Sequence, residues 1–112
     1  MANTFKSETF DGSSTGANSD MTIYTCPSST ETTIIGMTIA NITSSQVTVD
    51  VKLEKSGADN VFIVKDAPVP TGSSLVVVGG DQKVVMEVSD VIKVQSDTAN
   101  SVDTTMSILE IT

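Results

Sequence analysis

The residues best equipped for chemistry in this sequence are the acidic side chains of its polar loops. Asp97, Asn100 and Asp103 stand close together, and Asp11 and Asp20 bracket the loop DGSSTGANSD. Oxygen-rich loops hold calcium when carboxylates and carbonyls fall at suitable intervals. Neither group has the spacing of a known calcium loop, so both read as solvated carboxylates and no metal site is expected. The chain has no histidine, which removes the commonest general base and the commonest metal ligand together. Cys26 is the one cysteine. Without a histidine to take its proton, it reads as a small core residue beside Pro27. Gly79-Gly80-Asp81 has no helix behind it to cradle a phosphate and reads as a turn. Hydrolysis of sugars by paired carboxylates calls for aromatic platforms, yet there is no Trp and one tyrosine, Tyr24. Asn41-Ile42-Thr43 matches a glycosylation triplet and reads as a turn. The expectation is a protein that is not an enzyme and uses no cofactor.

Composition narrows the partners. The 112 residues carry 14 acidic and 6 basic side chains, a net charge of −8, and every base is a lysine. Nucleic-acid binders need a basic footprint, commonly with arginine forks, and an anionic membrane surface repels such a chain. Neither is expected as a partner. A single cysteine forms no internal disulfide. The start, MANTFKSETF, lacks the apolar core of a signal peptide, and no apolar run approaches the ~20 residues of a membrane span. These features predict a soluble protein made in a reducing cytosol.

The elements that must carry these residues read as strands. Val, Ile, Ser and Thr abound, which favours strands over helices. The clearest is Gln46 to Glu54: Val47, Val49, Val51 and Leu53 alternate with Thr48, Asp50, Lys52 and Glu54, one dry face and one wet face. With Thr32 to Asn41 before it and the turn NITSS between, the stretch predicts a hairpin. In Thr32–Asn41 both faces hold apolar residues, Ile34 and Ala40 on one, Ile35, Met37 and Ile39 on the other. That predicts a central strand covered on both sides, with Gly36 marking a bulge or the close approach of another chain. Pro68 and Pro70 make 67–73 an edge or a crossing between sheets. Further strands are expected at Met21–Cys26, Val61–Asp66, Ser74–Val78, Lys83–Val88, Val91–Gln95 and Val102–Ile111. About eight or nine short strands without helical periodicity predict an all-β antiparallel sandwich of jelly-roll or Greek-key type.

The division expected is an N-terminal arm and flexible loop over 1–20, then a sandwich domain over 21–112. Phe5 and Phe10 lie in residues 1–10, which form either a first edge strand or an arm; an arm docks either on its own sheet or on a neighbouring subunit. Phe5, Phe10, Ile35, Met37 and Ile39 are the subunit-contact candidates.

The order of several short motifs resembles small virion structural proteins of tailed bacteriophages, marine and cyanophage-like ones especially. They are MANTFK, the IYT-Cys-Pro segment, the Ala-Asn turn before VTVDV, IVKDAPVP, the Gly79-Gly80-Asp81 turn, EVSDVIKV and SILEI. The resemblance runs over nearly the whole chain. It implies a β-sandwich in the virion, made in the host cytoplasm, that decorates or cements the head through contacts with the major capsid protein or other virion proteins. It implies a homo-oligomer, with a trimer favoured. A neck, tail or fibre component is the alternative within the virion, and a carbohydrate-binding sandwich the alternative outside it.

Overall fold

The computed structural model describes residues 2–79 and 82–112; Gly80 and Asp81 of the expected Gly79–Asp81 turn lie outside them. The described residues form nine strands and no helix: β1 (Asn3–Asp11), β2 (Met21–Thr25), β3 (Glu31–Asn41), β4 (Val47–Glu54), β5 (Val61–Val69), β6 (Ser74–Val78), β7 (Val84–Met86), β8 (Val91–Ser96) and β9 (Val102–Ile111). They pack as two antiparallel sheets, a β-sandwich. One runs β1-β9-β3-β6, with β7 also on β3, and the other runs β2-β8-β4-β5. The pairs β1·β9, β2·β8, β3·β6 and β4·β5 nest one inside the next, so most neighbours in a sheet are far apart in sequence.

The core follows from alternation. Val47, Val49 and Val51 of β4, Ile92 and Val94 of β8, Ile34, Met37 and Ile39 of β3, and Met106 and Ile108 of β9 are all at most 1% exposed. Each such side chain contributes about 1.5–3 kcal/mol by leaving water. Only half of every strand can face this layer, so two outer faces remain.

Two expectations change here, and an alternative is decided. First, β3 and β4 are not a hairpin. β3 belongs to the five-stranded sheet and β4 to the four-stranded one, and residues 42–46 arch across the sandwich. Asn41 fixes the arch. Its Nδ2 donates to the carbonyls of Ser45 at 2.8 Å and Val69 at 2.9 Å, while its Oδ1 accepts from the amide and hydroxyl of Thr43. This amide side chain is wholly engaged inside the fold.

Second, β3 does not present two apolar faces for covering. Its register against β9 breaks between Ile34 and Gly36. The bulge foreseen at Gly36 is present, and it reverses the phase of the strand. Ile34 before it and Met37 and Ile39 after it therefore all point into the same core.

Third, of the alternatives open to the N-terminal segment, Asn3–Asp11 takes the edge strand on its own sheet. It pairs antiparallel with β9 without a break, from Asn3 opposite Ile111 to Asp11 opposite Asp103. Gly12 ends the strand where a Cβ would stand 1.8 Å from the Val102 carbonyl oxygen, so only glycine lets the chain pass so close to β9 there. The prolines behave as their missing amides require: Pro68 lies in β5, the edge of its sheet, and Pro70 follows in the crossing to β6.

Candidate interaction surface

The acidic loop residues are tied into the fold. Asp97 Oδ1 accepts the Thr48 amide at 3.0 Å and the Thr98 hydroxyl. Asp103 Oδ1 accepts the Gly12 amide at 3.1 Å, and Asp11 Oδ1 accepts the Ser13 amide at 2.9 Å. The amide of Ser13, with its side chain, holds the Asp11 carboxyl below the usual range. Cys26 is 2% exposed, and its thiol donates to the Thr30 carbonyl.

Two buried polar groups join elements that the core alone would not fix. Tyr24 of β2 reaches across the sandwich, its hydroxyl 2.9 Å from Thr32 Oγ1 and donating to Glu110 Oε2. Burial, and then the hydrogen bond to Glu110, push its phenol well above the ordinary value. Asp90, 1% exposed, lies in the link between β7 and β8. Its carboxylate accepts the Ser56 amide at 3.0 Å, the Glu87 amide at 2.8 Å and the Lys55 ammonium. Burial alone would raise this carboxyl; Lys55 and the two amides outweigh it and hold it low. Both groups tie elements of the fold together.

The two outer faces differ in kind. On the four-stranded sheet, Lys52 meets Asp20 at 3.4 Å and Glu54 at 3.3 Å, and Lys93 meets Glu54 at 3.1 Å. Lys65 meets Asp50 and stands 5.0 Å over the Phe62 ring. A shallow depression of about 120 Å³ lies between Asp20, Asp50, Lys52, Phe62, Lys93 and Gln95. Exposed pairs of this type add little stability, but they make the face a hydrated, charge-neutralised surface.

The outer face of the five-stranded sheet is bare by comparison. Asp11 and Asp103 stand at one end and Glu31 at the other. Between them the register brings together Phe5 beside Leu109, Leu109 beside Thr33, and Thr33 beside Val85. That is one row across β1, β9, β3 and β7. Val76 of β6 sits beside Thr38 on the same side, and Ser7, Thr9, Thr105 and Ser107 fill the rest. Phe5 is 75% exposed, Val76 65% and Val85 59%. Exposed apolar residues grouped on one face mark contact surfaces more often than scattered ones do.

The fold has known counterparts. No protein-family model matches the chain, and no curated protein matches it. Among solved structures, it is similar to a chain of the Bacillus endospore appendages, disulfide-linked pili, with a TM-score of 0.53 and 14% identity over 97% of this chain and 84% of that one. It is similar as well to a chain of the acidic stable capsid of Helicobacter pylori bacteriophage KHP30. There the TM-score is 0.51 and the identity 10%, over 98% of this chain and 87% of that one. At these identities the likeness is one of fold.

Set against this surface, the five contact candidates separate. Phe5 stands out on the bare face. Ile35, the extra residue of the β3 bulge, is half-buried on the side away from the core. Phe10 is half-buried and packs on the core from β1. Met37 and Ile39, 1% and 0% exposed, lie inside the sandwich and have no surface to offer another chain. Val76, Val85 and Leu109 were not singled out in the sequence, because their neighbours on the face come from distant strands.

Proposed function

We propose that this chain is a structural protein of a bacteriophage particle, a decoration or cement protein that lays the outer face of its five-stranded sheet on the head shell. The observation that carries the reading is the contrast between the two outer faces: a nearly uncharged surface with Phe5, Leu109, Val76 and Val85, opposite one covered by ion pairs. A cement protein needs a rigid body, one face that can be dehydrated against the shell, and one that stays in water. We read the strand order, β1-β9-β3-β6 facing β2-β8-β4-β5, as jelly-roll-like, and the likeness in fold to a chain of the KHP30 capsid supports the proposal. The partner is the major capsid protein or a neighbouring virion protein, and the place of the protein is the virion.

A pilus-like role is the other reading that the fold likeness suggests. It fits less well, because the one cysteine of these 112 residues is buried with its thiol hydrogen-bonded, which leaves them no exposed thiol for disulfides between subunits.

Counting copies per purified particle by quantitative mass spectrometry tests the proposal. Hundreds of copies are expected for a decoration protein. A few to a few dozen would move it to the neck, tail or fibres, and its absence from particles would end the virion reading. Binding to defined sugars on a glycan array would favour a carbohydrate-binding role instead.

A further inference from the structure

The two sheets have four edges, and three are blunted. β2 has five residues, a register shift between Thr22 and Tyr24, and Pro27 just beyond it. β5 has two register shifts, Pro68 within it, and a positive φ of 54° at Asp66. β6 and β7, five and three residues long, share one side of β3. Short strands, bulges and proline are how sheets avoid pairing with other chains. β1 has none of these three; its edge charges, Lys6 and Glu8, are of opposite sign. It is nine residues long, unbroken in register and free of proline.

The direction of its free main-chain groups follows from one pair. Ala2 and Thr112 exchange both hydrogen bonds, at 3.0 and 2.9 Å. Hydrogen-bonded and non-bonded pairs alternate along an antiparallel ladder, so Thr4, Lys6, Glu8 and Phe10 turn their amides and carbonyls to β9. Asn3, Phe5, Ser7, Thr9 and Asp11 turn theirs outward. None of Asn3, Phe5, Ser7 or Thr9 makes a main-chain hydrogen bond outside the ladder among the described residues.

We infer that this edge pairs with the β1 edge of a second copy, antiparallel about a twofold axis at Ser7. In that register Ser7 faces Ser7 of the other copy as a hydrogen-bonded pair, as its outward groups require. Phe5 faces Thr9, and Lys6 faces Glu8 twice over. Lys6 already lies 3.7 Å from Glu8 of its own strand, so the contact closes a ring of four alternating charges. Charge selects the register. A slip of two residues one way sets Lys6 against Lys6, and the other way Glu8 against Glu8, and like charges directly opposite are destabilising. The strand NTFKSETFD is thus complementary to itself, the requirement of an isologous interface. The product is a dimer with the five-stranded sheets joined edge to edge, where the sequence led to the expectation of a trimer. This contact does not depend on what the bare outer face binds.

Sedimentation equilibrium of the full chain in physiological salt, over a concentration series reaching millimolar, tests the inference. A monomer–dimer equilibrium is expected. Ser7→Pro removes an outward amide that the monomer does not use, so the variant should fold, as circular dichroism would show, and remain monomeric. Glu8→Lys sets lysine against lysine at two places and should weaken the dimer by about tenfold or more; adding Lys6→Glu to it should restore pairing. Amide exchange at Asn3, Phe5, Ser7, Thr9 and Asp11 should slow as concentration rises. A monomer throughout the series, a trimer, or a dimer unchanged in a folded Ser7→Pro protein would overturn the proposal.

Discussion

Tyr24 and Glu110 meet through one hydrogen bond although they belong to opposite sheets, and the phenol is the donor. Their contact predicts how the protein behaves in alkali. Burial and the glutamate raise the phenol above its ordinary pKa of about 10. The stability it contributes is therefore complete below about pH 10 and is lost as pH climbs beyond it. Tyr24 is the single tyrosine and there is no tryptophan, so ultraviolet absorbance reports this one group. The phenolate band should appear above the usual pH, together with loss of the far-ultraviolet dichroism of the sheets. Tyr24→Phe should remove this coupling and cost about 1–2 kcal/mol in urea unfolding.

Asp90 governs the acid side. Its carboxyl is held below the ordinary range, so its contribution is present above about pH 4 and is lost as pH falls through the lowered value. Lys55 is shifted upward, first by Asp90 and then by Glu87; its share is complete below about pH 10.4 and is lost as pH rises through the raised value. Asp90→Ala strands two amides and leaves the Lys55 ammonium with Glu87 alone. It should cost about 3 kcal/mol at neutral pH and flatten the acid limb of a plot of stability against pH.

The contact candidates should divide in denaturant. Met37→Ala and Ile39→Ala empty core positions and should each cost about 2–5 kcal/mol. Phe5→Ala should change stability by no more than about 0.5 kcal/mol and, under the proposed decoration role, weaken binding to purified head shells. A large loss of stability from Phe5→Ala would place that ring in the core instead.

Thr104 is 1% exposed, and its hydroxyl has no hydrogen-bond partner among the described residues. A buried unpaired hydroxyl is a cost that an apolar group of the same shape avoids. Thr104→Val should leave the fold intact and raise the urea midpoint, by up to about 1 kcal/mol in stability.

Local pattern carried the fold class and stopped where pairing became distant. The alternation in Gln46–Glu54 gave the buried Val47, Val49 and Val51 directly. Gly36 announced the bulge, but simple alternation through it put Ile34 and Met37 on opposite faces, because one inserted residue shifts every later side chain by one. The turn at 42–46 looked like a hairpin since nothing local separates a hairpin from an arch; the distinction lies in Asn41 reaching Val69. Phe5 and Leu109 are neighbours on the bare face only through the pairing of β1 with β9, and no short-range signal reports such a pairing. The ion pairs on the other sheet escaped the reading for the same reason: Lys93 and Glu54 come from different strands.

The union of β1 with β9 also sets when the molecule can exist at all. Asn3 waits for Ile111, so until β9 is made β1 has no partner, and β3 can pair only with β6 and β7. Long-range pairing of this kind makes folding slow and leaves strand edges open meanwhile. A chain that stops before β9 cannot join β1 to β3 and leaves the sandwich open. Closure of the five-stranded sheet therefore waits on β9, the strand that joins β1 to β3.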